Sequence, residues 1–300
     1  MKNILSVLDY KDEVNDLIKN SIKLKKSKRK FSKKLKNKNI GLLFEKKSTR
    51  TRVSFESGIN QLGGNTLFLD SSSLQLGRGE SISDTAKVLS RYLDAIIYRS
   101  NSNQSMKKLS NSSNIPIINA LDNKEHPCQI LSDLLTIYEK KETFKNKLVY
   151  VGDGNNVCNS LLLGSSIVGM DMVVSTPKDF KPNQEIFKKA KEISKRNGSM
   201  IKYIKDPKKA VEKSDIIYTD VWISMGEKKS ENKINKLKKY QVNKKLLKNA
   251  KKEVMIMHCL PAHRGFEITD DVLDSSNSVV FDQAENRLHS QKALLLSIFS

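Results

Sequence analysis

Short apolar runs alternate along this chain with stretches whose apolar positions recur every three or four residues. That alternation predicts strands and helices in turn. Asn39-Ile40-Gly41-Leu42-Leu43-Phe44 is apolar over the length of a strand, with strand character from 40 to 44. A polar turn follows, and then Val53, Phe55, Ile59 and Leu62 recur at helical spacing, ending at Gly63-Gly64. Leu8, Val14, Leu17, Ile18 and Ile22 fall on one side of an amphipathic helix predicted over 9–28. Further strands are predicted at 65–69, 94–98 and 115–119, and further helices at 81–92 and from Pro127 to about residue 141. A second series begins at 147. It has strands at 147–152, 171–175, 200–204, 215–219 and 253–257, helices at 156–168 and 183–196, and a last helix at 284–299. Alternation on this scale predicts an α/β chain of two domains, each a parallel sheet flanked by helices. The boundaries are placed at 1–141 and 142–283, with 284–300 as a helix packing back on the first domain.

Composition narrows the setting. Three hundred residues suit about two domains and a sizeable core. No segment is apolar for long enough to span a bilayer, and the first residues lack the pattern of a secretory or transit peptide. The three cysteines, Cys128, Cys158 and Cys259, show neither metal-ligand spacing nor a disulfide framework, which predicts a reducing, cytoplasmic setting. A net charge of +21 points first to nucleic acid. The lysines, however, gather in 23–30, 33–38 and 228–252 with a single aromatic, Tyr240, among them, so a solvated surface is expected instead. Arginine is scarce, and Arg50, Arg52, Arg99, Arg264 and Arg287 all lie in or beside the unusual stretches.

The first of these stretches is Ser48-Thr49-Arg50-Thr51-Arg52, between a strand and a helix. Unpaired N–H groups at a helix start, the hydroxyls of Ser48 and Thr49 and two guanidinium forks together suit an anion, phosphate above all. The other reading is an ordinary capped helix whose arginines face solvent. Arg99 ends the 94–98 strand, and His126-Pro127-Cys128-Gln129 follows the 115–119 strand. Ligands of open α/β sheets bind beyond the C-terminal strand ends, so these three stretches should converge on one edge. Ser71 to Glu80 is a polar loop of a length that often carries function. Later, Gly152-Asp153-Gly154-Asn155-Asn156-Val157 resembles a dinucleotide-binding turn, but Val157 stands at the third glycine position. Its asparagines could equally bind a substrate carboxylate or amine. Asp220, at the end of the 215–219 strand, suits a substrate ammonium or a helix cap. His258 and Cys259, at the end of 253–257, read either as a proton-handling pair or as a buried, inert cysteine.

Taken in order, Ser48-Thr49-Arg50-Thr51-Arg52, His126-Pro127-Cys128-Gln129, Asp220-Val221-Trp222-Ile223-Ser224-Met225-Gly226 and His258-Cys259-Leu260-Pro261 resemble the signatures of the ornithine carbamoyltransferases. The resemblance runs from Leu5-Ser6-Val7-Leu8-Asp9 to Ala284-Glu285-Asn286-Arg287. It implies a carbamoyl phosphate-binding domain, then an ornithine-binding domain, in a homotrimer with shared active sites. It implies no metal, no organic cofactor, and no nucleic-acid or membrane partner. The implied reaction moves the carbamoyl group of carbamoyl phosphate to the δ-amine of L-ornithine, giving L-citrulline and phosphate, in arginine metabolism. By position, the resemblance assigns Ser48, Thr49, Arg50 and Thr51 to the phosphate, and Arg99, His126 and Gln129 to the carbamoyl group. Gln75 would reach a neighbouring subunit's site, and Arg287 would return to the phosphate side. Cys259 and the Leu260 backbone would lie beside the reacting centre. Asn156, Asp220, Ser224 and Met225 would hold ornithine. Arg99, His126, Asp220 and Cys259 are the implied catalytic set. A carbamoyltransferase with aspartate, putrescine or a modified ornithine as acceptor, a basic nucleic-acid-binding protein, and a degenerate homologue are the rival readings.

Overall fold

The computed structural model describes residues 2–27, 32–224, 226–227 and 230–299. The chain forms two compact units, Met1–Leu135 together with Glu285–Ser300, and Thr136–Ala284. In the first, β1 (Asn39–Phe44), β2 (Asn65–Asp70), β3 (Ala95–Arg99) and β4 (Ile117–Leu121) form a parallel sheet in the order β2-β1-β3-β4. Its helices are α1 (Val14–Lys26), α2 (Thr49–Gln61), α3 (Ile82–Leu89), α4 (Asn103–Ser112) and the start of α5 (Pro127–Lys141). β3 is buried throughout, as is β1 apart from Asn39, which is why both read as unbroken apolar runs. Leu43, Ile96, Tyr98, Met106, Leu109 and Ile117 belong to one core cluster on this sheet.

The second unit has β5 (Lys147–Val151), β6 (Asp171–Ser175), β7 (Ile201–Tyr203), β8 (Ile216–Thr219) and β9 (Met255–His258), all parallel, in the order β7-β6-β5-β8-β9. Around it lie α6 (Asn156–Ile167), α7 (Gln184–Arg196), α8 (Pro207–Val211), α9 (Glu231–Leu237), α10 (Lys244–Leu247) and α11 (Asp270–Leu273). The last helix, α12 (Val280–Phe299), belongs to the first unit from Glu285 onward, so the C-terminal helix does pack back on it. Among the described residues no helix is long and apolar enough to cross a membrane.

Both sheets reverse their strand order, between β1 and β3 in one and between β5 and β8 in the other. Such switch points open crevices at the C-terminal strand ends. Several boundaries differ from the sequence expectation. The 9–28 helix is a short 3-10 turn, Val7–Tyr10, capped by Ser6, followed by α1. α4 was not expected at all, because its serine- and asparagine-rich sequence reads as loop. Ser102 caps it, and Met106 and Leu109 bury one face. α12 begins at Val280 rather than at 284.

Candidate active site

Each unit gathers polar side chains at its switch point. In the first, Ser48 is the N-cap of α2, with extended backbone, and its Oγ accepts from Thr51 N at 3.3 Å. Thr49 opens the helix and is exposed, and Arg50 is partly buried. The neighbouring strand end is held in register by Glu45, which donates its N–H to Arg99 O (2.9 Å) and accepts from Asn101 N (2.6 Å) and the Tyr98 hydroxyl. Phe44 therefore pairs with Arg99, and the Arg99 charge acts on both Lys46, before the α2 cap, and His126, past β4. Past β4, Asp122 Oδ1 accepts from Lys124 N and Glu125 N, both at 2.7 Å, which shapes the turn that delivers His126 to the start of α5. From α12, Arg287 Nη2 donates to Thr51 Oγ1 at 2.9 Å.

The cluster is strongly cationic and nearly dry. Arg99 is 3 % exposed, His126 4 %, Gln129 1 % and Arg287 3 %. Burial first, then the charges of Arg287 and Arg99, hold His126 well below the usual imidazole range. It is therefore neutral at physiological pH, and suited to donate a hydrogen bond to an oxygen on which negative charge builds. Burial and Arg99 also lower Lys46. Arg52 is turned elsewhere: its Nε donates to Glu56 Oε1 at 3.0 Å and its guanidinium stacks 3.6 Å from the Phe68 ring centroid. Of the two arginines in the turn, Arg52 thus follows the capped-helix reading, with its fork spent on the protein. Gln75 lies in an exposed 3-10 turn, Gln75–Arg78, apart from the hydrogen-bonded cluster.

In the second unit, Asn155 caps α6, its Oδ1 accepting from Val157 N and Cys158 N. Its Nδ2 donates to Asp220 Oδ2 at 2.6 Å, and Cys259 Sγ donates to Asp220 Oδ1 at 3.1 Å. Asp220 is 5 % exposed, so this carboxylate is buried and bonded on both oxygens. Asn156, the expected ligand, is partly buried at the first position of α6. The glycine pattern of this turn has a packing cause. A Cβ on Gly154 would come within 2.3 Å of Pro182 N and 2.6 Å of Phe180 O, while Gly154 N donates to Phe180 O. Ser224 N donates to Glu227 Oε2 at 3.1 Å, and Lys233 Nζ joins Glu227 (2.7 Å) to Asp153 (2.9 Å). Burial raises Asp153 to about 6 despite that lysine. Met225 lies outside the described residues.

Beyond β9, His258 Nδ1 accepts from Leu260 N at 2.9 Å and Nε2 meets Glu267 Oε1 at 3.1 Å. The first bond fixes the proton on Nε2. Glu267 Oε1 also accepts from His263 N (2.6 Å), so the buried pair shapes the loop that carries Cys259 and Leu260. Asp220, His258 and Cys259 offer donor atoms within 4.8 Å of one another. Both imidazole nitrogens are already engaged, however, so the trio does not present a free histidine ligand to a metal ion. The His258–Cys259 neighbours thus divide: the histidine holds the loop and the thiol faces Asp220. Asp133 and Glu267 were missed from sequence, and Asn155 was read only as one of two asparagines open to a substrate, not as the partner of Asp220. Asn155 alone gave a signal, since it stands where a helix wants its cap.

A family model described as the carbamoyl-P binding domain of aspartate/ornithine carbamoyltransferase matches residues 2–139. One described as the Asp/Orn binding domain of the same family matches residues 145–298. The chain is 53 % identical over 301 residues to a catabolic ornithine carbamoyltransferase of Thermoplasma acidophilum, covering 100 % of this chain and 99 % of that protein. Among solved structures, the ornithine carbamoyltransferase of Pyrococcus furiosus matches with a TM-score of 0.94 at 47 % identity, over 98 % of this chain and 96 % of that one. An anabolic ornithine carbamoyltransferase of Campylobacter jejuni matches with a TM-score of 0.94 at 37 % identity, over 99 % of both chains.

Proposed function

The chain belongs to the aspartate/ornithine carbamoyltransferase family, within it to the ornithine carbamoyltransferases, and on that premise we propose how its two clusters divide the reaction. The first unit binds carbamoyl phosphate. Ser48, Thr49, Arg50 and Thr51 hold the phosphate, Arg287 orients Thr51, and Arg99, His126 and Gln129 hold the carbamoyl group. The second unit binds L-ornithine through Asn156, Asp220, Ser224 and Met225, with Cys259 and the Leu260 backbone beside the reacting groups. The observation that carries this reading is the meeting of Thr51, Arg99, His126 and Arg287, all buried, at the ends of adjacent strands of one sheet and on the helix that returns to it.

The free δ-amine of ornithine has a lysine-like pKa of about 10 and must lose a proton to attack. Asp220 holds an ammonium, and the cationic surroundings of the donor favour the neutral amine at the reacting end. The amine nitrogen bonds to the carbonyl carbon, and the carbonyl oxygen takes up negative charge. Thr51, Arg99 and neutral His126 donate hydrogen bonds to that oxyanion, and losing one such donor typically costs roughly 10²–10³ in rate. The bond from carbon to the phosphate oxygen then breaks. Phosphate leaves with the electron pair into the arginines, and the amine proton leaves with phosphate or solvent. No covalent enzyme intermediate is required, so Cys259 positions Asp220 rather than attacking.

Purified protein supplied with carbamoyl phosphate and, in turn, ornithine, putrescine or aspartate tests this. Citrulline from ornithine, well above product from the other acceptors, is expected. A protein that turns over aspartate or putrescine but not ornithine would overturn the acceptor assignment. The working form is a homotrimer in the cytoplasm, with Gln75 serving a neighbouring copy. The exposure of Gln75, of Leu67, Val88 and Tyr92 on the first unit, and the three free cysteines support this. Light scattering should then give three times 34.0 kDa, and a monomer would refute it.

A further inference from the structure

Gln129 stands in the first turn of α5, and its amide is held at one end only. Nε2 donates to Asp133 Oδ1 at 2.8 Å, one helical turn further on. Both residues are buried, and Gln129 Oε1 has no hydrogen-bond partner among the described residues. A buried amide oxygen without a donor is uncommon in a folded protein and needs an explanation. The carboxylate explains the orientation. An ionised Asp133 can only accept, so it can engage only the NH₂ end of the amide, and the oxygen end is left to face away from it.

We infer that Asp133 is a positioning residue that fixes Gln129 as a hydrogen-bond acceptor toward the bound donor substrate, and so selects an acyl phosphate bearing an NH₂ group on its carbonyl carbon over one that lacks it. The inference rests on the reading of Gln129 as a ligand of the carbamoyl group. Carbamoyl and acetyl phosphate have nearly the same shape and charge. They differ in that one presents an amide N–H where the other presents a methyl. An oxygen locked toward that position gains a donor from the first and stays buried and unpaired against the second, the kind of mismatch that makes polar sites selective. Were the amide free to turn, its own NH₂ would face the substrate NH₂ in half of its orientations, and the selection would weaken. Asparagine at position 133 would permit that turn, because it can hold either end of the Gln129 amide.

The test compares binding of three stable probes to the full-length protein by calorimetry: phosphonoacetamide, its methyl ketone counterpart phosphonoacetone, and inorganic phosphate. Wild type is expected to bind the amide about 10- to 100-fold more tightly than the ketone, the cost typical of one buried acceptor left unpaired. In Asp133→Asn the ratio should fall toward unity while the affinity for phosphate holds. Should that variant not fold, Asp133→Ser, whose hydroxyl also donates and accepts, is measured in the same way. A variant that keeps the wild-type ratio overturns the role of Asp133 and leaves Gln129 in the site. Equal weakening of all three probes also overturns it, since that is what a merely structural carboxylate would give. Wild type with no preference for the amide would instead remove Gln129 from the carbamoyl group.

Discussion

Arg287 reaches from the last helix to the third residue of α2, where its Nη2 donates to Thr51 Oγ1 at 2.9 Å across 236 positions of sequence. The same guanidinium is one of the charges that depress His126. Arg287→Met should therefore do two things. The KM for carbamoyl phosphate should rise roughly 10- to 100-fold, the range for a buried charged partner removed. The His126 imidazole should move back toward its ordinary pKa, because a positive neighbour has gone, and histidine NMR titration would read that shift. An unmoved His126 resonance would separate the two residues.

Asp220 accepts from Asn155 Nδ2 on one oxygen and from Cys259 Sγ on the other, and so ties the α6 cap to the loop after β9. Asp220→Asn should raise the KM for ornithine about 100-fold, as loss of a buried charge opposite an ammonium does, with phosphonoacetamide affinity unchanged. Cys259→Ser keeps a donor to Asp220 and should cost much less than Cys259→Ala. Steady-state kinetics with both substrates varied would distinguish these outcomes.

Glu125 gives the first unit a pH dependence. It accepts from Ser6 Oγ (2.7 Å) and Val7 N (3.0 Å), yet burial outweighs these bonds and raises its carboxyl from 4.5 to about 7. Between those values the folded chain holds a proton that the unfolded chain has lost. The stabilisation is therefore complete below the unfolded value and is lost as pH rises through 7, by roughly 3 kcal/mol at most. Glu125→Gln cannot ionise. Its stability relative to wild type should increase from pH 5 to pH 8 in urea melts, and parallel pH profiles for the two proteins would refute the assignment.

Gly154→Ala tests the packing of the β5–α6 turn. The added methyl meets backbone of Phe180, Lys181 and Pro182 at 2.3–2.6 Å, which no side-chain rotation relieves. A loss of about 1–3 kcal/mol or more is expected in thermal or urea melts. A raised ornithine KM is expected too, since the turn carries Asn155 and Asn156.

What could be read in advance divides along physical lines. Ser48, Arg99, His126 and Asp220 each follow a strand, so their place at a sheet edge came from periodicity alone. The Arg287–Thr51 bond could not be read that way, because nothing in a local pattern says that the chain returns. Only the family resemblance brought Arg287 into the site. Arg52 looked like a second fork for the anion, but the i,i+4 glutamate and the Phe68 ring claim it. Asn155, one residue before the expected Asn156, caps α6 and donates to Asp220, a placement that depends on where the cap falls by one residue. Asp133 and Glu267 escaped notice because each acts through another side chain, and such partners have no motif of their own.

The return of α12 also orders events during synthesis. The second unit, Thr136–Ala284, is continuous in sequence and can fold once its own residues have left the ribosome. The first unit lacks Arg287 and the rest of its share of α12 until synthesis has passed the whole of the second. The Thr51–Arg287 bond can therefore form only after the second unit has been made, and a nascent chain interrupted before Glu285 would contain the whole second unit beside an unfinished first one.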